Sequence, residues 1–118
     1  MAKEKYKIHD RIYSFVLRVL NAVKEIPRTP ENVVLIKQVV RSSASIGANA
    51  SEADGAESKK EFIHRFTIAK KEAKETLYWV MLISDHNELL KKRFLQLLDE
   101  NKQIIAIISK IIINAKSK

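Results

Sequence analysis

The sequence predicts an all-α chain folded as one antiparallel four-helix bundle, and three observations carry that prediction. Punctuation is scarce: two glycines and two prolines in 118 residues leave room for few turns and favour long helices over a many-hairpin sheet. Apolar residues recur at steps of three and four in four successive stretches. The breaks between the stretches are short, so neighbouring helices alternate up-down-up-down. A chain of this size, 46% hydrophobic, can build a core without metal or disulfide. No repeat or linker divides it, and residues 1–118 are expected to form a single domain.

The first helix is expected from about Tyr6 to Ile26, with Ile8, Ile12, Phe15, Val16, Val19, Val23 and Ile26 as its apolar stripe. Pro27 and Pro30 frame the following loop. Thr29 is placed to cap the second helix, with Pro30 at its first position and Glu31 in its first turn. That helix runs to about Asp54 and stops at Gly55, with a core stripe of Val33, Ile36, Val40, Ala44 and Gly47. Gly47 costs about 1 kcal/mol relative to alanine inside a helix, so a packing reason is expected. Ser58-Lys59-Lys60-Glu61 is a capping-box pattern opening the third helix. Phe62, Phe66, Ala69, Ala73, Leu77 and Val80 form its stripe, and it ends near Asp85-His86-Asn87. The fourth helix runs from Leu89 or Lys91 to Ala115 on Leu90, Phe94, Leu97, Leu98, Ile104, Ile105, Ile108, Ile111 and Ile112.

The apolar surface exceeds what one bundle needs. The arc on the fourth helix spans roughly 180°, and Leu95 and Ile113 lie outside it. On the third helix, Ile68, Trp79 and Leu82 project away from the Phe66–Ala73–Leu77 stripe, together with Glu72 and Glu75. These five residues form a candidate oligomer interface, because contiguous exposed apolar patches mark interaction sites. The competing reading places Trp79 at the bundle edge under a neighbouring helix or a terminus. On the second helix Gln38, Arg41, Ser45, Asn49 and Glu52 line one side. Arg41 can reach Ser45 on its own helix, or Glu72 or Glu75 on another helix or subunit. Arg41, Ser45, Asn49 and Glu52 thus read as a polar network fixing register or a subunit contact, or as a partner surface.

Catalytic constellations are missing from the pattern. The polar stripe holds no nucleophile with a histidine or lysine base beside it. A di-iron bundle needs two Glu-x-x-His motifs; Glu61-Phe62-Ile63-His64 supplies one, and neither His9 nor His86 has a glutamate three residues before it. No phosphate-binding glycine loop or dinucleotide fingerprint is present. The absence of cysteine excludes disulfides and thiolate zinc sites and fits a reducing, cytoplasmic setting. Met1 to Lys5 has no apolar run behind it, so no secretory signal is expected. The greasy run Ile104–Ile113, broken by Ser109 and Lys110, falls short of the roughly 20 residues of a membrane span. No cofactor, metal or membrane partner is expected.

The net charge of +8, from 22 Lys and Arg against 14 Asp and Glu, favours a polyanionic partner such as RNA or DNA, or serves solubility alone. Lys70, Lys71 and Lys74 cluster on the third helix, Lys91, Lys92 and Arg93 open the fourth, and Lys3, Lys5, Lys7 and Arg11 load the N-terminal end. Such clusters suit nonspecific phosphate contact. No recognition helix or aromatic stacking platform is evident.

The block Arg41-Ser42-Ser43-Ala44-Ser45-Ile46-Gly47-Ala48-Asn49-Ala50-Ser51-Glu52 resembles the signature of the bacterial four-helix-bundle family first associated with intervening sequences in 23S ribosomal RNA genes. Lys60-Glu61-Phe62, Ile68-Ala69-Lys70, Glu72, Glu75 and Tyr78-Trp79 continue the likeness, which departs from the commonest pattern at Ser51 and Ala53-Asp54. The resemblance implies a ring-shaped homopentamer with no accepted active site. A related branch, the accessory variability determinant of diversity-generating retroelements, is a basic pentameric barrel that associates with a reverse transcriptase and nucleic acid. The leading expectation is therefore an oligomeric, non-enzymatic scaffold or adaptor contacting RNA or a nucleoprotein partner. The alternative is a purely structural self-assembling protein, with an enzyme or metal protein third.

Overall fold

The structure, a computed structural model, describes the backbone of residues 2–118 and the side chains of residues 7–118. Four helices account for nearly all of it: α1 (Ala2–Val23), α2 (Pro30–Asp54), α3 (Lys59–His86) and α4 (Lys91–Lys116), with a 3-10 turn at Glu88–Leu90 leading into α4. α1 and α3 each pack against both α2 and α4, so α1 and α3 stand on one diagonal of a square bundle. The rod measures 47 × 22 × 18 Å, a length set by helices of 22 to 28 residues at about 1.5 Å per residue.

Local chemistry fixes the breaks. α1 ends at Val23, three residues before the expected Ile26, and Lys24, Glu25 and Ile26 close tight turns onto Asn21, Ala22 and Val23. Pro27 is the cause: it cannot donate to Val23, and it pushes Ile26 out of the helical region. Arg28 Nη1 reinforces the turn, donating to Val23 O and Ile26 O at 3.0 Å each. Thr29 caps α2, its hydroxyl accepting from Asn32 N at 3.2 Å. Gly55 closes α2 at φ −93°, so the stop needs no left-handed residue. Ser58 Oγ accepts from Glu61 N at 3.1 Å, but the return bond of the capping box is not formed.

The α1 stripe is buried as expected, except for half-buried Val16. In α2 the core face is turned by about one residue, or 100°. Asn32, Val39, Ser42, Ser43, Ile46, Ala50 and Ala53 are buried, whereas Val33, Ile36, Val40 and Gly47 are half-buried and Ala44 is exposed. Hydroxyls occupy this core face because they are satisfied there. Ser42 Oγ donates to Val39 O at 3.4 Å and accepts from the buried Thr76 hydroxyl at 2.8 Å. In α3, Phe66, Ala69, Ala73 and Val80 are buried with Thr76, Ile83 and Ser84, while Phe62 and Leu77 stand at the core margin. In α4, Phe94, Leu97, Ile104, Ile108 and Ile112 are buried, with Asn101 among them. Its Nδ2 donates to Ala73 O at 3.0 Å, setting residue 73 level with residue 101 across the α3–α4 seam.

Candidate interaction surfaces

The α2 polar stripe faces the flank of α3. Arg41 lies between two carboxylates, with Nη1 3.4 Å from Glu72 and Nη2 bonded to Glu75, and its Nε donates to Gln38 at 3.5 Å. Both acidic candidates therefore engage Arg41 within one chain. Arg41 does not reach Ser45; that hydroxyl instead pairs with Asn49, whose Nδ2 donates to Ser45 Oγ at 3.2 Å and to its carbonyl at 2.9 Å. Glu52 meets Arg65 at 3.0 Å. The four residues of the expected network form three separate contacts: Arg41 and Glu52 each reach across to α3, while Ser45 and Asn49 pair within α2.

Trp79 extends the Arg41 cluster. Its Nε1 donates to Glu75 Oε2 at 3.0 Å, and the indole meets the Tyr78 ring edge-on, with centroids 5.1 Å apart. The Trp79 bond, aided by the positive charges of Arg41 and Lys71, holds the Glu75 carboxyl below its ordinary range against a smaller desolvation penalty. The expectation that Trp79 would stand in water is corrected: the ring is half-buried and packs on the core margin. Ile68, Glu72 and Glu75 are likewise half-buried, and Leu82 is exposed. A helix on one corner of a square bundle touches neighbours on two flanks, so its buried arc is wider than a single stripe.

Further exposed apolar surface lies on α1. Tyr13, Leu17 and Leu20 repeat along α1 at 69%, 46% and 38% exposure. Sequence reasoning missed this stripe, although its spacing of four and three was legible. It borders a groove of about 490 Å³ between α1 and α2, whose walls include Tyr13, Val16, Ala44, Gly47 and Ala48. A Cβ on Gly47 would meet Ile12 at 3.5 Å, ordinary contact, so close packing does not explain the glycine. His9 stands at one end of the groove, 3.0 Å from Asp54. Val34, Tyr78, Met81, Leu89, Leu95 and Ile113 are also exposed.

The basic residues divide by partner. Lys91 pairs with Asp85 at 3.5 Å and Glu88 at 3.7 Å, and Arg93 pairs with Glu25 at 2.8 Å, so two members of the α4 cluster are neutralised and Lys92 is left over. Arg11 is held by Glu100 and Gln103, both at 2.7 Å, and the Glu100 bond raises the Arg11 pKa. Among the described residues, Lys70, Lys71, Lys74 and Lys102 have no carboxylate within 4.0 Å. The side chains of Lys3 and Lys5 lie outside the described residues.

Two further observations bear on chemistry. Glu61 and His64 are exposed, and no group of three or more His, Cys, Asp or Glu stands ready for a metal among the described residues. No helix of the described residues is long and apolar enough to cross a membrane.

The family pattern described as 23S rRNA-intervening sequence protein matches residues 4–110. A crystal structure of a protein of unknown function from the S23 ribosomal protein family of Bacteroides thetaiotaomicron VPI-5482 superposes with a TM-score of 0.84 at 31% identity. The likeness covers 92% of this chain and 97% of that one. No curated protein matches.

Proposed function

This chain belongs to the 23S rRNA-intervening sequence protein family, and from that premise we propose that it is an oligomeric, non-catalytic scaffold contacting RNA or a nucleoprotein partner through a basic surface. The observation that carries the reading is the sorting of charge. Carboxylates on the α2–α3 and α1–α4 seams are consumed by Arg41, Arg65 and Arg11. Lys70, Lys71 and Lys74 on α3, and Lys102 on α4, one residue past the Asn101–Ala73 bond, have no carboxylate within 4.0 Å among the described residues. A surface of this kind attracts polyanions by releasing their counterions.

Self-association rests on the exposed apolar residues. The Tyr13–Leu17–Leu20 stripe and the groove beside it form one face. Leu82, with Val34 about one turn away across the seam, forms another at the edge of the Trp79 cluster. Burying such patches against another copy removes them from water. Ile68, Glu72, Glu75 and Trp79 then act as the rigid base of the interface, with Leu82 as its contact.

The test of nucleic-acid contact is retardation of a labelled RNA and a DNA at stepped salt, with wild type and a Lys70→Gln/Lys74→Gln/Lys102→Gln variant. The reading expects binding that falls steeply with salt and is largely lost in the variant. Absence of retardation at low salt, or binding indifferent to salt, overturns it.

A further inference from the structure

Resting on that reading of the lysine face, we propose that the polyanion is single-stranded nucleic acid, with one base stacked on Tyr78 and adjoining phosphates held by Lys71 and Lys74. Tyr78 is an aromatic ring with 59% of its surface in water. It is also braced. Trp79 packs against it at 74° in a T-shaped contact, and Trp79 is itself tied by its indole N–H to Glu75, which Arg41 holds in turn. The ring is therefore a supported platform, and stacking on it costs little further ordering.

Lys71, Lys74 and Tyr78 follow one another at i, i+3 and i+7, which places all three on one face of α3. Lys74 precedes the ring by about 6 Å along the axis. Lys102 adds a cation from α4 within two residues' rise, about 3 Å, of Lys74 along the seam, since the antiparallel α4 sets residue 101 level with residue 73. Carboxylates beside this strip are engaged: Glu75 by Arg41 and Trp79, Asp85 by Lys91, and Asp99 by the Gln103 amide. A cationic strip ending in an exposed aromatic is the arrangement that holds single strands, where phosphates supply attraction and any unstacked base offers a π-face. A duplex presents the same phosphates but keeps its base faces stacked, so it gains nothing from Tyr78.

The experiment is fluorescence anisotropy with a labelled single strand of about a dozen nucleotides, as RNA and as DNA, and with the matching duplex at equal salt. Wild type is expected to bind both single strands more tightly than the duplex. Tyr78→Ala should weaken single-strand binding about fivefold or more and leave duplex binding unchanged, and Tyr78→Phe should restore it. Lys74→Gln should lower the single-strand salt slope by about 0.7. Circular dichroism checks that each variant keeps its helix content. Salt-dependent binding that ignores Tyr78→Ala, or equal affinity for duplex, overturns the stacking proposal and leaves the wider reading standing. Failure of wild type to bind any strand at low salt overturns both.

Discussion

Asn101 offers the sharpest test of how this bundle is held. It is fully buried on α4, it donates to Ala73 O, and its Oδ1 has no partner. Replacing it with leucine keeps the branching and the number of heavy atoms while removing both polar atoms. The lost hydrogen bond costs about 1 kcal/mol, and Ala73 O retains its own helical bond because it lies mid-helix. Removing an unsatisfied buried acceptor returns about 1–3 kcal/mol, and the new methyl groups add burial of about 1–2 kcal/mol. Asn101→Leu is therefore expected to stabilise the fold by about 2 kcal/mol, a rise in midpoint temperature of roughly 8 °C for a domain of this size. Urea titration should show a higher midpoint at unchanged slope. A clear loss of stability would mean that Oδ1 is paired in solution, for example by an internal water, and would refute the accounting.

Two further outcomes follow from the same contacts. Gly47→Ala should raise stability by about 1 kcal/mol in thermal melts, since helix propensity favours alanine and Ile12 leaves room for the Cβ; a loss would show that the groove needs bare backbone there. The Glu75 carboxyl, held below its ordinary value of 4.5 chiefly by Trp79, contributes stability that is present above that value and lost as pH falls through the lowered one. Acid titration of wild type should therefore lose more stability below pH 4.5 than Glu75→Gln does, and parallel curves would contradict the assignment.

Much of the fold was legible in the residues, and the exceptions have physical causes. The α1 stripe is wholly aliphatic or aromatic, so its contrast with polar neighbours is unambiguous. The α2 stripe was misread by one step because Ser42, Ser43 and Asn32 look like surface residues until their partners are known. Asn32 and Asn87 exchange side-chain amide bonds at 2.9 and 3.0 Å, and Asn32 also donates to Pro27 O, tying the α1–α2 loop to the end of α3. No spacing along the chain announces a pair 55 residues apart. The contact of Arg41 with Glu72 and Glu75 was readable because opposite charges were concentrated on single faces. The pairing of Lys91 and Arg93 was not, since Asp85, Glu88 and Glu25 reach them from loops and helix ends.

The central claim, a building block rather than a solitary bundle, is tested most directly by solution mass. Light scattering on the eluting peak, over a range of concentrations, should give a multiple of the 13.6 kDa chain mass, five times that value for the pentamer the resemblance implies. Leu17→Glu combined with Leu82→Glu places charges on both exposed faces and should reduce the mass toward one chain without loss of helix content. A wild-type mass of 13.6 kDa at every concentration would contradict the account.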